Sequence, residues 1–212
     1  MARIKGAKNF HLASVTSNTK ESYEVETPEK AERIVSIEIE TSAESEDVYS
    51  DDEVEETVYG TVEKTGKVVL NYLSPETKVL MFGGEIDKDG VYFPAGDKIV
   101  KHHAMGFEMP TTGGGSKFAW YYDVVFDVPT EKAETQQNKP TIQEIEISFK
   151  CYKNKKLDTH KAELDMNGKT ANKVKASKWS DLRTVYIQIF TLFKFDKNLK
   201  KYNRKTTLFI VK

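Results

Sequence analysis

The 212 residues hold one cysteine, Cys151. No intrachain disulfide can staple such a chain, and synthesis in a reducing cytosol is expected. No apolar run approaches the roughly 20 residues that a membrane-spanning helix needs. The N-terminus, Met-Ala-Arg-Ile-Lys-Gly, lacks the apolar centre of a signal peptide, so no membrane partner is expected. Histidine is scarce. His102 and His103 are adjacent, and a strand would point them to opposite faces, so they cannot chelate one metal together; His11 and His160 stand apart. Gly113 to Gly115 lacks the Gly-Lys-Ser/Thr ending and the following helix of a phosphate-cradling loop, and it reads as a turn. No Ser/His/Asp set, Cys/His pair at metal spacing or carboxylate dyad stands out. Catalytic residues, cofactors and metals are therefore not expected, and an enzyme is the weaker reading.

The chain does have a strong separation of charge beneath a net charge of −1. From Glu21 to Glu56 there are fifteen acidic residues against Lys30 and Arg33, whereas from Lys150 onward seventeen Lys/Arg face five acidic residues. Aromatics are not interleaved with the basic residues as stacking platforms, so the pattern fits head-to-tail self-association better than nucleic-acid binding.

Period-two alternation dominates the rest. Phe118, Trp120, Tyr122, Val124, Phe126 and Val128 are expected on one face of a strand, with Ala119, Tyr121, Asp123, Val125 and Asp127 on the other. Ala104 to Met109 is its antiparallel partner across the turn Pro110 to Ser116. Lys8 to Thr16 is a first strand. Arg33 to Glu40 and Ile142 to Lys150 alternate apolar residues with Glu38, Glu40, Glu144 and Glu146, so these carboxylates face solvent. Thr57 to Leu73 reads as strand, turn, strand, with a turn or bulge at Lys64-Thr65-Gly66. One helix is signalled: Ser74 as N-cap, Pro75 in the first turn, Glu76 at the positive end of the dipole, and Gly83-Gly84 as the stop. Val79, Leu80 and Phe82 are expected to pack it onto a sheet. Thr184 to Phe195 and Thr206 to Val211 are the last strand-like runs.

Thr41 to Glu56 is acidic and polar, and is expected to be a loop unordered in a free monomer. It lacks the spacing of a calcium-binding loop. The fold class expected for residues 1–212 is a single mainly β domain, an antiparallel β-sandwich with one short flanking α-helix.

In order, the chain presents the Ile-Glu-Ile-Glu strand, Val48-Tyr-Ser-Asp-Asp52, Leu73-Ser-Pro-Glu-Thr-Lys-Val-Leu-Met-Phe-Gly83 and Glu85-Ile-Asp-Lys-Asp-Gly-Val91. His103-Ala-Met-Gly-Phe-Glu108, Phe118-Ala-Trp-Tyr-Tyr122 and Glu144-Ile-Glu-Ile147 follow. This succession resembles the major tail proteins of long, non-contractile phage tails, the phi13-type family, from about Arg3 to Tyr186. Residues 188–212 depart from it, and their role is open. The resemblance implies a virion protein assembled in the host cytoplasm. Its inner sheets would join into hexameric rings with a barrel-like wall, and the rings would stack head to tail around a tape-measure protein between tail-end proteins. Double-stranded DNA would pass through the lumen without specific binding. On that reading Glu38, Glu40, Glu144 and Glu146 are expected to line the lumen. The 41–56 segment, with Glu46, Asp47, Val48, Tyr49, Asp51, Asp52 and Glu53, is expected to order against a neighbour's Lys150 to Lys178. The competing class is a monomeric binding module, for example for carbohydrate, using Gly113 to Gly115 with Trp120 and Tyr121; long charged segments argue against it.

Overall fold

A computed structural model describes residues 2–50, 53–96, 100–132 and 143–168, with residues 44–50, 54, 58–59 and 61 described in backbone only. All of these fall within the compact unit Met1–Ala171. The runs Thr184 to Phe195 and Thr206 to Val211, the segment 188–212, and Asp51 and Asp52 lie outside the described residues.

The protein is mainly β and antiparallel with one short helix, as expected, and its arrangement is consistent with a β-sandwich. The strands are β1 (Lys8–Asn18), β2 (Tyr23–Val25), β3 (Glu29–Lys30), β4 (Ile34–Ser50), β5 (Glu53–Leu70), β6 (Glu85–Ile86), β7 (Tyr92–Phe93), β8 (His103–Pro110), β9 (Ser116–Phe126), β10 (Ile145–Tyr152) and β11 (Lys161–Asp165), with α1 (Pro75–Phe82) between β5 and β6. The main sheet runs β2-β1-β8-β9-β10-β5-β4, with β3 on β1 and β11 on β9; β6 and β7 form a separate hairpin. The core lies between the facing parts of this sheet. Phe10, Leu12, Val68, Leu70, Met105, Ile147 and Phe149 meet there, with Met81 from α1.

The β8–β9 hairpin forms as the sequence implies, with Pro110 opposite Ser116. Its faces do not. Met105 pairs with Tyr121 but His103 pairs with Val124, so β9 carries one extra residue at 122–123. A bulge of this kind inverts which residues face the core. Ala119 and Tyr121 join the main core with Val124 and Phe126. Phe118, Trp120 and Tyr122 are buried on the opposite side. There Trp120 lies over Gly106, and the Tyr23 ring meets Tyr122 edge-on at 5.6 Å. Val128 falls beyond the strand and is exposed.

Helix α1 starts as its sequence dictates. Ser74 Oγ accepts from Thr77 N at 3.2 Å, and Gly83 ends the helix at φ 85°. Glu32 Oε1 accepts from Ser74 N at 3.1 Å, placing a carboxylate at the positive end of the dipole. Leu80 and Phe82 pack against the core as expected, partly buried, but Val79 is half-buried outside that cluster, and the buried residues are Met81 and Thr77. Eight residues make about two turns, so one position dominates the seat.

Two further expectations are corrected. Gly66 is neither turn nor bulge: β5 runs from Glu53 to Leu70 and keeps regular register with β4 and β10 through Lys64–Lys67, and Gly66 sits where a Cβ would strike Phe149. The acidic segment is not a loop either. Its backbone continues β4 and returns as β5, with Ser45 opposite Tyr59 and Ser50 opposite Glu53. Cross-strand hydrogen bonding satisfies the backbone here.

Candidate functional site

The sheet end at Lys64 and Cys151 organises the possible sites. β10 pairs with β5 only from Ile145–Leu70 to Cys151–Lys64. Past Lys64, β5 pairs among the described residues with β4 alone, so residues 41–50 and 53–63 form a two-stranded arm. At about 3.3 Å per residue, the eleven residues from Glu53 to Glu63 span roughly 35 Å. Residues 41–62 carry eight acidic residues and no basic ones. Glu46, Asp47, Val48 and Tyr49 lie in its β4 limb, and Glu53 opens the β5 limb, exposed.

On the body of the sheet, core contacts by Ile37, Ile39, Val68 and Ile147 turn Glu38, Glu40 and Glu146 to the exposed face. Lys67 lies opposite Glu38, and its Nζ is 2.8 Å from Glu146 Oε1. The Glu146 hydrogen bond and charge, helped by Glu38 and Glu40, hold its ammonium above the usual lysine range. Lys150 stands on the same face, opposite Thr65. The face is therefore mixed in sign, which the alternation of Glu in two separate strands did not reveal. Glu144 is exposed but precedes β10, so it is not part of this strand row.

The β9 bulge creates a polar cluster. Asp123 is buried, and its carboxylate accepts from Asn18 Nδ2 at 2.6 Å, while His102 Nδ1 lies 2.6 Å from its other oxygen. A carboxylate only accepts, which places the His102 ring proton on Nδ1. Asn18 Nδ2 also reaches the Lys153 carbonyl, and its Oδ1 accepts from Lys155 N. The cluster thus ties β1, β9 and the turn after β10 together. His103 points the other way, into the core, where its Nε2 donates to the Met81 carbonyl at 3.2 Å. Burial lowers its pKa to about 4, only partly offset by that bond. Sequence reasoning separated the two histidines correctly but not the buried Asp123.

Cys151 is buried, and burial pushes its thiol up to about 12, which leaves it protonated and inert at neutral pH. Among the described residues, no group of three or more His, Cys, Asp and Glu side chains is placed to hold a metal ion. No helix there is long and apolar enough to cross a membrane. Trp120 and Tyr121 are 2% and 4% exposed, so neither offers a ring face for a sugar to stack on. The Gly113 to Gly115 turn instead packs beside Asn167. At the opposite end of the sheet, Tyr72, Met81, Phe82, Val100 and Val128 line an apolar groove beside α1.

Compared with models of known protein families and with curated proteins, the chain matches none.

Proposed function

We propose that this chain is a structural subunit of a phage tail tube. Copies join through sheet edges into hexameric rings that stack head to tail around a tape-measure protein, between tail-end proteins, and DNA later passes through the lumen. The observation that carries this reading is the arm of residues 41–63, a β-ribbon that pairs only with itself among the described residues. An isolated two-stranded ribbon is marginal in water, and exposed strand edges are templates for pairing with another chain. Among the described residues β11 likewise pairs only with β9. Nothing in a monomeric binding module calls for such an arm, and no observed feature favours carbohydrate binding.

In this reading the face bearing Glu38, Glu40 and Glu146 lines the lumen. Lys67 and Lys150 then dilute its negative charge, so the wall repels a duplex weakly and, at a Debye length of about 8 Å, only at close range. The deciding experiment is negative-stain microscopy of concentrated protein. Tubes or stacked rings are expected, and a monomer at every concentration would reject the proposal.

A further inference from the structure

We infer that stacked copies dock tip to groove: the tip of the β8–β9 hairpin, bearing Ile4, seats in the apolar groove beside α1 of a second copy of this chain. The inference rests on the self-assembly reading above and names the contact that holds successive rings.

The tip is built from two segments. Ile4 bridges Thr111, Lys5 N donates to the Pro110 carbonyl at 2.8 Å, and Thr112 N donates to the Arg3 carbonyl at 2.9 Å. Backbone bonds thus fix residues 3–5 on the turn that closes β8 and β9, yet the Ile4 side chain is 58% exposed. Residues 2–7 hold Arg3 and Lys5 and no acidic residue, and both cations are exposed. The tip presents one apolar side chain flanked by positive charge.

The groove has the matching character. Tyr72, Val100 and Val128 line it and are 58%, 55% and 68% exposed. Clustered exposed apolar side chains with a polar rim mark a contact surface. Asp127, Glu131 and Glu144 stand in the lining against Lys78 and Lys132, and Lys78 Nζ already lies 3.9 Å from Glu131 Oε1.

Strand β9 sets tip and groove apart. It starts at Ser116, beside the tip, and ends at Phe126, in the groove lining. Its 11 residues, at about 3.3 Å per step, hold these ends roughly 33 Å apart. A tip therefore cannot fill the groove of its own chain. Two different surfaces at opposite ends of a subunit make a heterologous contact, which repeats head to tail instead of closing as a pair. Tip-on-tip pairing would set Arg3 and Lys5 against like charge. Exposed ion pairs are individually weak, so Ile4 is the anchor, and repetition around a ring multiplies a modest contact.

Substitutions in the full chain test this. Ile4→Asp and Val128→Asp alter exposed side chains, so the circular dichroism of each should match the wild type. Each should raise the concentration at which stacks form by more than about tenfold, while single rings persist in negative stain. Arg3→Glu with Lys5→Glu should act alike, and adding Glu131→Lys with Glu144→Lys should restore stacking. An Ile4→Cys, Val128→Cys variant, in which the native Cys151 stays buried, should oxidise to an open-ended ladder, because its two new thiols are too far apart to join within one chain. Ile4→Cys alone cross-linking to dimers as readily would mean tip-on-tip contact and overturn the proposal. A Val128→Cys thiol shielded from a thiol reagent in dilute monomer would mean that the same chain, for example residues 133–142, fills the groove, and would also overturn it. Stacking unchanged by Ile4→Asp would overturn the docking and leave the tube proposal standing. If the wild-type chain never assembles, both fail.

Discussion

Phe149 occupies the space in which a side chain on Gly66 would begin. A Cβ at position 66 would lie 2.6 Å from Phe149 Cζ and 2.4 Å from the Glu38 carbonyl oxygen. The glycine therefore serves close approach of β4, β5 and β10. The backbone carbonyl cannot move aside as a flexible side chain would. Gly66→Ala should cost about 1–3 kcal/mol by overpacking. Urea unfolding measures it, and unchanged stability would show that the three strands are not held at this spacing.

Met81 is the apolar anchor of α1, being 2% exposed, whereas Val79 is half-buried. Truncating a buried methionine leaves a cavity, so Met81→Ala should destabilise by about 2–5 kcal/mol. Val79→Ala should cost clearly less. Reversal of that order in thermal or urea unfolding would restore the helix face expected from the sequence.

The buried His103 makes stability depend on pH. Its pKa falls from 6.5 to about 4, because burial disfavours the charged ring. The unfolded chain binds this proton more readily, so the contribution is fully present above pH 6.5 and is lost as the pH falls toward 4. Over that window the loss should be about 3 kcal/mol. His103→Asn should flatten the slope between pH 6.5 and 4, the interval bounded by the two pKa values. Glu108 acts lower. Desolvation raises its carboxyl, but hydrogen bonds from Ser116, Asn9 and Lys8 outweigh this and hold it below the usual range. Its contribution therefore fails only in stronger acid. A variant retaining the full slope would assign the titration elsewhere.

The arm should be separable from folding. Among the described residues it pairs with no strand outside itself beyond Lys64. Removing residues 45–53 should shift monomer stability by no more than about 0.5 kcal/mol, the usual range for changes away from a core. The same deletion should abolish assembly in concentrated protein. A deletion variant that forms normal tubes by electron microscopy would remove the arm from the interface.

Local features of the chain were legible because their causes are local. Ser74, Pro75 and Gly83 bracket α1 through caps a few residues apart. The alternation in Lys8–Asn18, His103–Pro110 and Ile145–Tyr152 marks strands whichever partner they take. The adjacency of His102 and His103 likewise sends one outward and one into the core.

What the sequence alone determined, then, is a mainly β chain with one capped helix and charge divided along its length. Tertiary structure decided the rest, because it depends on what lies across the ladder. The bulge opposite Ala104 inverts β9 without disturbing its alternating pattern, so the phase change is invisible until β8 is paired. Gly66 reads as a turn or bulge until Phe149 is placed over it. The acidic stretch reads as a loop by composition, yet extended backbone on two antiparallel limbs satisfies its own hydrogen bonds. Only the pairing of β10 with β5 shows where that ribbon leaves the sheet, and hence which charges stand beside it.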